Sequence, residues 1–308
     1  MSLKIKHNHY GYLFVAPFIL GFLIFGLYPV VNTIALSFTD KTLMSASSSF
    51  IGFRNFQNLF ADSTFITAIT NTWELWLMNF IPQIAIAFIL AIWFTNTRLK
   101  IKGVGIWRMI FYMPNLMMAS AVAALFFSLF SYYGPVNQLL VRSDILPEAV
   151  DFLRNPKIAR GLVVFIQWWM WFGQTTILLM AAMTAISPSL YEAAWVDGAG
   201  TMQMFTKITL PLIKPVLIFI LVTSLVGGMQ MFDIPYLLTD GRGSPANSIL
   251  TNNINMYMKF HSSKGHIGAA ASVGVVVFLM TSAVALLIFY LLREKQPRKV
   301  VGELKEKR

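Results

Sequence analysis

Three polar side chains on one predicted helix face could bind a ligand without covalent chemistry. Gln167, Trp171 and Gln174 are spaced by four and then three residues, which places them on the same side of a helix. Amide groups donate and accept hydrogen bonds, and an indole adds one donor and an aromatic face. This composition suits a ligand that carries hydroxyl groups. Two other interpretations remain open, because tryptophans often form an interfacial belt and amides often join membrane helices.

A second apolar stretch, about forty residues further on, carries more polar and small residues. Polar groups in such a stretch are costly unless they face a cavity or another helix. Ser224 and Gly228 lie one turn apart, where the backbone could approach a ligand, although small residues also serve close helix packing. The predicted substrate path consists of Gln167, Trp171, Gln174, Ser224, Gly228, Gln230 and Asp233.

The sequence offers no residue set for covalent catalysis or for a metal site. It contains no cysteine, and its four histidines lack the paired helical spacing of a zinc site. It has no Gly-x-x-x-x-Gly-Lys-Ser/Thr phosphate loop, and no apolar stretch holds a nucleophile with a base or a pair of carboxylates. We therefore expect a protein that is not an enzyme and that binds no cofactor of its own.

The elements that must position these residues are predicted to be membrane helices. Of the 308 residues, 56% are hydrophobic and 12% are charged, whereas soluble domains carry about 25% charged residues. A spanning helix needs about 20 mostly apolar residues, and lipid offers the backbone no hydrogen-bond partner. The fold class is thus an all-α membrane protein with six transmembrane helices, at about 12–37, 73–96, 106–131, 161–186, 212–235 and 268–292.

Lys and Arg are distributed unequally among the segments that connect these spans. One set of segments includes both termini and the link between the fourth and fifth spans, and it contains 15 of the 24 basic and five of the 13 acidic residues. The other set contains nine basic and eight acidic residues. Because cytoplasmic segments carry the excess of Lys and Arg, we expect the first set and both termini to be cytoplasmic.

The link between the fourth and fifth spans is predicted to be a helical hairpin. Ser189 and Glu192 have the spacing of a capping box, and Thr201 is placed to cap a second helix. Gly198 would break the chain between the two helices, and Pro211 would end the second one. Apolar residues exposed on such a hairpin indicate a partner or the membrane surface.

The hairpin sequence resembles the EAA loop of binding-protein-dependent ABC importers, by which the membrane subunit docks on its ATPase. The resemblance implies a coupling role for Glu192, Ala193, Ala194, Asp197, Gly198, Ala199, Phe205, Leu210 and Pro211. Further on, Phe232-Asp233 and the run Leu-Thr-Asp-Gly-Arg-Gly-Ser-Pro at 238–245 resemble a motif of the carbohydrate subfamily, although that motif is richer in glycine. The segment 68–292 as a whole is similar to the shared importer membrane domain.

The resemblance also implies the fold, the partner subunits and the transported solute. The fold would be the MetI-like fold of type I importers, with 1–67 as an N-terminal helix and outer loop, 188–215 as the EAA loop and 293–308 as a basic cytoplasmic tail. The partners would be two ABC ATPase subunits that bind ATP and Mg, a second permease chain and an extracellular solute-binding protein. The chain would carry a sugar or oligosaccharide by alternating access across a bacterial or archaeal cytoplasmic membrane.

Two alternatives stay open at this point. The importer could serve another polyol or a glycerol-phosphate-like solute, which the outer motif does not exclude. A stand-alone membrane transporter or scaffold would need no docking hairpin, and a coupled carrier would have more ionisable residues within its spans. The hairpin pattern favours the importer.

Overall fold

Helices form nearly all the regular structure of the protein. The computed structural model describes residues 9–96, 99–239 and 241–293. Most of the predicted basic tail and the basic residues Lys4, Lys6 and Arg98 lie outside the described residues. Within the described part there is no β-strand, only the isolated bridges Thr39–Phe50 and Thr42–His266.

The described helices are α1 (His9–Phe22), α2 (Tyr28–Ser37), α3 (Arg54–Ala61), α4 (Ser63–Thr95), α5 (Val104–Leu116), α6 (Ala119–Phe130), α7 (Pro135–Arg142), α8 (Pro156–Thr184), α9 (Pro188–Val196), α10 (Thr201–Met204), α11 (Leu210–Leu212), α12 (Lys214–Met229), α13 (Asp233–Leu238), α14 (Asn252–Phe260) and α15 (Ile267–Leu292). Two short π-helical stretches join neighbouring helices. Leu23–Leu27 connects α1 to α2, and Phe205–Thr209 connects α10 to α11.

Six helical segments of the described chain are long and apolar enough to cross a membrane, in agreement with the number predicted from the sequence. They are Gly11–Ser37, Ser63–Thr95, Ala119–Arg142, Pro156–Thr184, Lys214–Leu238 and Ile267–Leu292. The second begins ten residues before its predicted start at 73, because Asp62 caps α4 by accepting a hydrogen bond from the Thr64 N–H at 2.9 Å. Polar residues in the first turns of α4 conceal this start from a hydropathy count.

Two of the predicted spans are interrupted, which corrects the sequence prediction. The stretch 106–131 is not one helix, because Met117 and Met118 adopt extended conformations between α5 and α6. The stretch 212–235 is broken after α12, and α13 begins only at Asp233. The residues at both breaks are largely apolar, so hydropathy continues across them while the helix does not.

The helices α4 and α8 form the centre of the bundle. Buried Phe80 and Ala87 of α4 and Leu179 of α8 belong to one apolar cluster, which α12 and α15 complete. On the other side of α8, α5 packs so closely that a methyl group at Gly173 would overlap the backbone of Phe111. These contacts fix α8 from both sides.

The first membrane helix contributes little to this core. None of the residues in the most apolar window of Gly11–Ser37 is buried. Its contacts with the rest of the chain are made through α2, which packs against the start of α15. The apolar side chains of α1 therefore face lipid or another chain.

Candidate functional site

A cavity of about 420 Å³ lies within the membrane bundle, and all seven residues of the predicted substrate path line it. Its walls come from the middle of α4, α8 and α12 and from the two helix breaks. The predicted residues that it brings together are Gln167, Trp171, Gln174, Ser224, Gly228, Gln230 and Asp233. The volume falls in the range of about 300–1,000 Å³ that is typical of small-molecule sites.

Both interruptions of the membrane helices open onto this cavity. Asn115 and Met117 line it from the break between α5 and α6, and the residues from Gln230 to Asp233 line it from the break between α12 and α13. Unwound backbone at membrane depth is tolerated where it borders a cavity, and it leaves peptide groups free to bind a ligand. The breaks are therefore part of the site.

The sequence interpretation missed one wall of the cavity, which Trp76, Asn79 and Gln83 of α4 supply. Gln83 donates a hydrogen bond from Nε2 to Thr175 Oγ1 at 2.8 Å, and Asn79 donates to the Leu75 carbonyl at 2.7 Å. Two amides four residues apart in an apolar helix lie on one face, which is the signal that would have identified them.

Gly228 lines the cavity and also allows close packing between two helices. Gly228 is buried, and a methyl group on its Cα would overlap the ring of Trp76. The Trp76 indole is thereby held where its Nε1 donates to Ser224 Oγ at 3.1 Å. Ser224 accepts this bond, so its own proton remains available to a ligand oxygen.

Four amide side chains of the cavity are free to bind a ligand. Asn115, Gln167, Gln174 and Gln230 make no side-chain hydrogen bond to any other residue that the structure describes, and none of them is buried. Each can donate and accept at the same time, as a sugar hydroxyl also does. Beside them, the indole of Trp171 is 47% exposed and offers an apolar face.

The second candidate region is the hairpin that connects α8 to α12. The sequence predicted the positions of its two helices correctly, but it did not predict their N-cap residues correctly. Ser187 rather than Ser189 is the N-cap residue of α9, and it makes no side-chain capping bond, because the Ser187 and Ser189 hydroxyls bond each other at 2.8 Å. Gly200 precedes α10, where its N–H donates to Gln203 Oε1 at 3.0 Å, so Thr201 is not the cap.

The prediction that Leu210-Pro211 ends the second helix of the hairpin is wrong. The chain continues from α10 through the π-helical stretch and α11 almost directly into α12. In this stretch the Leu210 N–H bonds to the Phe205 carbonyl, one residue further back than in an α-helix. The wider turn admits Pro211, which lacks an N–H. Only Ile213 therefore separates the helical segments of the hairpin from α12.

One contact holds the two parts of the hairpin together, and another fastens the hairpin to the bundle. The hydroxyl groups of Tyr191 and Thr209 lie 2.8 Å apart, and their hydrogen bond joins α9 to the π-helical stretch Phe205–Thr209. Phe205 packs edge-on against Phe88 of α4, with 6.1 Å between the ring centroids. Phe205, one of the predicted docking residues, is therefore partly buried within its own chain.

The other predicted docking residues lie at the surface of the hairpin. Glu192, Ala193, Asp197, Gly198, Leu210 and Pro211 are exposed, and Ala194 and Ala199 are partly exposed. Among the large apolar side chains of the hairpin that the prediction did not include, the most exposed are Trp195, Val196 and Met202. Gly198 turns the chain with φ of +77°, a conformation that strains any residue with a side chain.

Comparison with known proteins identifies the family of this chain. The profile of the family described as "Binding-protein-dependent transport system inner membrane component" matches residues 65–299. The lactose transport system permease protein LacF of Rhizobium radiobacter is 34% identical over 296 residues, which cover 96% of this chain and 98% of LacF.

Two solved structures have a similar fold. The first, a bacterial ABC transporter involved in the import of the acidic polysaccharide alginate, has 27% sequence identity and a TM-score of 0.78, and the match covers 96% of this chain and 98% of that one. The second, a bacterial alginate ABC transporter in complex with alginate pentasaccharide-bound periplasmic protein, has 26% identity and a TM-score of 0.77 and covers 94% and 96%. The chain belongs to the family of binding-protein-dependent transport system inner membrane components, and it is a multi-pass ABC importer permease.

Proposed function

We propose that this permease moves a sugar or oligosaccharide, delivered by an extracellular solute-binding protein, through the cavity between α4, α8 and α12. The observation that carries the proposal is the lining of that cavity, where unpaired amides surround the exposed indole of Trp171. The similarity to a lactose permease over nearly the whole chain supports a carbohydrate.

The hairpin is the proposed contact with an ABC ATPase. Its exposed surface combines small residues, which allow close approach, with the large apolar side chains of Trp195, Val196 and Met202. Apolar groups exposed together favour a protein partner. In this proposal two ATPase subunits bind ATP and Mg, and a second permease chain completes the pair. This chain itself performs no catalysis and holds no cofactor.

The orientation that we propose puts the hairpin and both termini in the cytoplasm of a bacterium or archaeon. The excess of Lys and Arg in the same set of segments supports this orientation. Because α8 and α12 both start or end at the hairpin, the break after Met229 then lies towards the outer side. The cavity would accept ligand from outside and release it inside.

The mechanism is an equilibrium between two arrangements of the bundle. A ligand or nucleotide shifts such an equilibrium only by its different affinity for the two states. ATP would favour one state through the ATPase, and the hairpin would transmit that preference to α12 because the chain is helical from Thr201 nearly to Met229. The solute-binding protein would supply sugar to the outward-facing state.

A transport assay of the whole complex tests the proposal. The complex would be purified with its ATPase and second permease, placed in proteoliposomes and supplied with ATP, binding protein and radiolabelled sugars. Trp171→Ala removes an aromatic face and a hydrogen-bond donor, so uptake should fall about tenfold. The control is Trp93→Ala, which removes a similarly exposed tryptophan of α4 that lies outside the cavity. Equal uptake by both variants would contradict the proposal.

A further inference from the structure

The charges of the residues that line the cavity indicate which ligand charge it can accommodate. Among the described residues that line it there is no Lys, Arg or His, and Asp233, at the outer helix break, is the one charged residue. The remaining polar groups are neutral amides, hydroxyls and indoles. A neutral amide can satisfy either a donor or an acceptor, but it cannot neutralise an anion.

Two basic residues of the outer half, Arg160 and Lys259, are engaged elsewhere. Arg160, at the outer end of α8, pairs with Glu74 and donates to Asn71 Oδ1 at 2.6 Å and to the Ser248 carbonyl at 3.0 Å. Lys259 pairs with Asp62 at 2.7 Å. Neither residue lines the cavity. Neither the Arg160 guanidinium nor the Lys259 ammonium is therefore available to neutralise an acidic ligand in the cavity.

The absence of a countercharge has an energetic consequence. An anion transferred from water into a site without a cation loses hydration that neutral dipoles replace only in part. The carboxylate of Asp233 adds repulsion, which is strong wherever the surrounding dielectric constant is low. A hydroxyl group meets neither cost, since amides can bond to it from both sides.

We propose that this cavity selects uncharged saccharides and excludes uronates, sulfonated sugars and sugar phosphates. The inference rests on the proposed function, and it separates this chain from the alginate importer of similar fold, whose polysaccharide is acidic. Asp233 acts as the excluding charge near the entrance, and the unpaired amides Gln167, Gln174 and Gln230 bind the hydroxyl groups.

Direct binding to the complete permease–ATPase complex in nanodiscs tests this selection without the solute-binding protein, which has its own specificity. The probes are radiolabelled neutral oligosaccharides and their uronate counterparts of the same linkage and length, for example galactobiose and digalacturonate. The preferred neutral sugar should bind at least about tenfold more tightly than its uronate. In Asp233→Asn this ratio should move towards one.

The matched control is Asp144→Asn, which removes an exposed carboxylate outside the cavity and should leave the ratio unchanged. The left-handed backbone at Asp144, with φ of 54°, also accepts asparagine. Uronates that bind as tightly as neutral sugars would overturn the charge selection while leaving the proposed sugar transport intact. If neither class binds, the inference fails and the cavity no longer supports the proposed function.

Discussion

The docking hairpin and the membrane cavity are both candidate sites, but their residues come together in different ways. The predicted docking residues lie within 20 consecutive positions, from Glu192 to Pro211, and short-range helix and turn geometry arranges them. The cavity draws on α4, α8, α12 and two helix breaks, which are far apart in the sequence. A local motif can thus reveal the first region, whereas only the folded bundle reveals the second.

The same difference predicts how each region responds to substitution. In the cavity wall, Gly228 and Trp76 are held by close packing between helices, so an atom added there should disturb the bundle itself. On the hairpin, most docking residues are exposed, so a substitution should spare the bundle and affect communication with a partner. Two pairs of variants test this contrast, and a single variant at the outer rim follows with the smallest effect.

The largest effect is expected for Gly228→Ala. The new methyl group would overlap the Trp76 ring and displace it from Ser224. Overpacking of this kind costs about 1–3 kcal/mol, and we expect a lower thermal midpoint of the complex in detergent together with loss of sugar uptake. Gly227→Ala is the control for stability, because its methyl group meets nothing within 4 Å. If both variants melt like the wild type, the packing account of Gly228 is wrong.

A smaller effect on stability, but a strong one on transport, is expected for Gly198→Val. A β-branched residue at φ of +77° strains the turn by about 1–2 kcal/mol and reshapes the exposed hairpin. Uptake and ATP hydrolysis, measured together in proteoliposomes, should become uncoupled while the thermal midpoint changes little.

Gly200→Ala is the matched control for the hairpin. Gly200 has an ordinary φ of −73° and open space around its Cα, so alanine should preserve coupling. Normal uptake per ATP in Gly198→Val would show that the shape of the turn is not important for docking.

The smallest effect is expected at the outer rim, where Asp62 pairs with Lys259 at 2.7 Å. Burial raises the pKa of the Asp62 carboxyl, but the hydrogen bond and charge of Lys259, with the Thr64 N–H, outweigh this and lower the pKa below its ordinary value. The pair is about a quarter exposed, so Asp62→Asn should cost less than about 1 kcal/mol at pH 7.

The pH dependence of this small effect has a defined sign. A lowered folded pKa gives stability that is complete above the unfolded value of about 3.9 and is lost as the pH falls through the folded pKa. The thermal midpoints of wild type and Asp62→Asn should therefore differ most near neutrality and converge in acid. A difference that grows in acid would exclude the ion pair as its cause.

The sequence predicted the number of membrane helices and the place of the hairpin because both depend on short-range properties. Runs of apolar residues mark the spans, and Gly198 marks the turn. The breaks at Met117-Met118 and after Met229 were not predictable in this way, since methionine is apolar and compatible with a helix. Only packing against other helices decides that these residues unwind.

The same reasoning explains the partial success at the cavity. Gln167, Trp171 and Gln174 were identifiable because helix periodicity alone aligns them. Asn79 and Gln83 carry the same kind of signal on α4, but their place opposite α8 depends on tertiary structure. The role of Gly228 was only half predicted, because its close contact with Trp76 joins residues 152 positions apart.

The most direct test of the central claim, that the hairpin docks on an ATPase on the side opposite the outer loops, is crosslinking from a single cysteine. The chain has no cysteine, so Val196→Cys on the hairpin and Ile145→Cys, after the end of α7, each introduce one reactive thiol at an exposed position. A thiol-reactive crosslinker would be applied to membranes that contain the assembled complex, and the adducts would be identified by mass spectrometry. We predict an ATPase adduct for Val196→Cys and none for Ile145→Cys. A Val196→Cys thiol that reacts readily with maleimide yet gives no ATPase adduct, or an ATPase adduct at Ile145→Cys, would contradict the account.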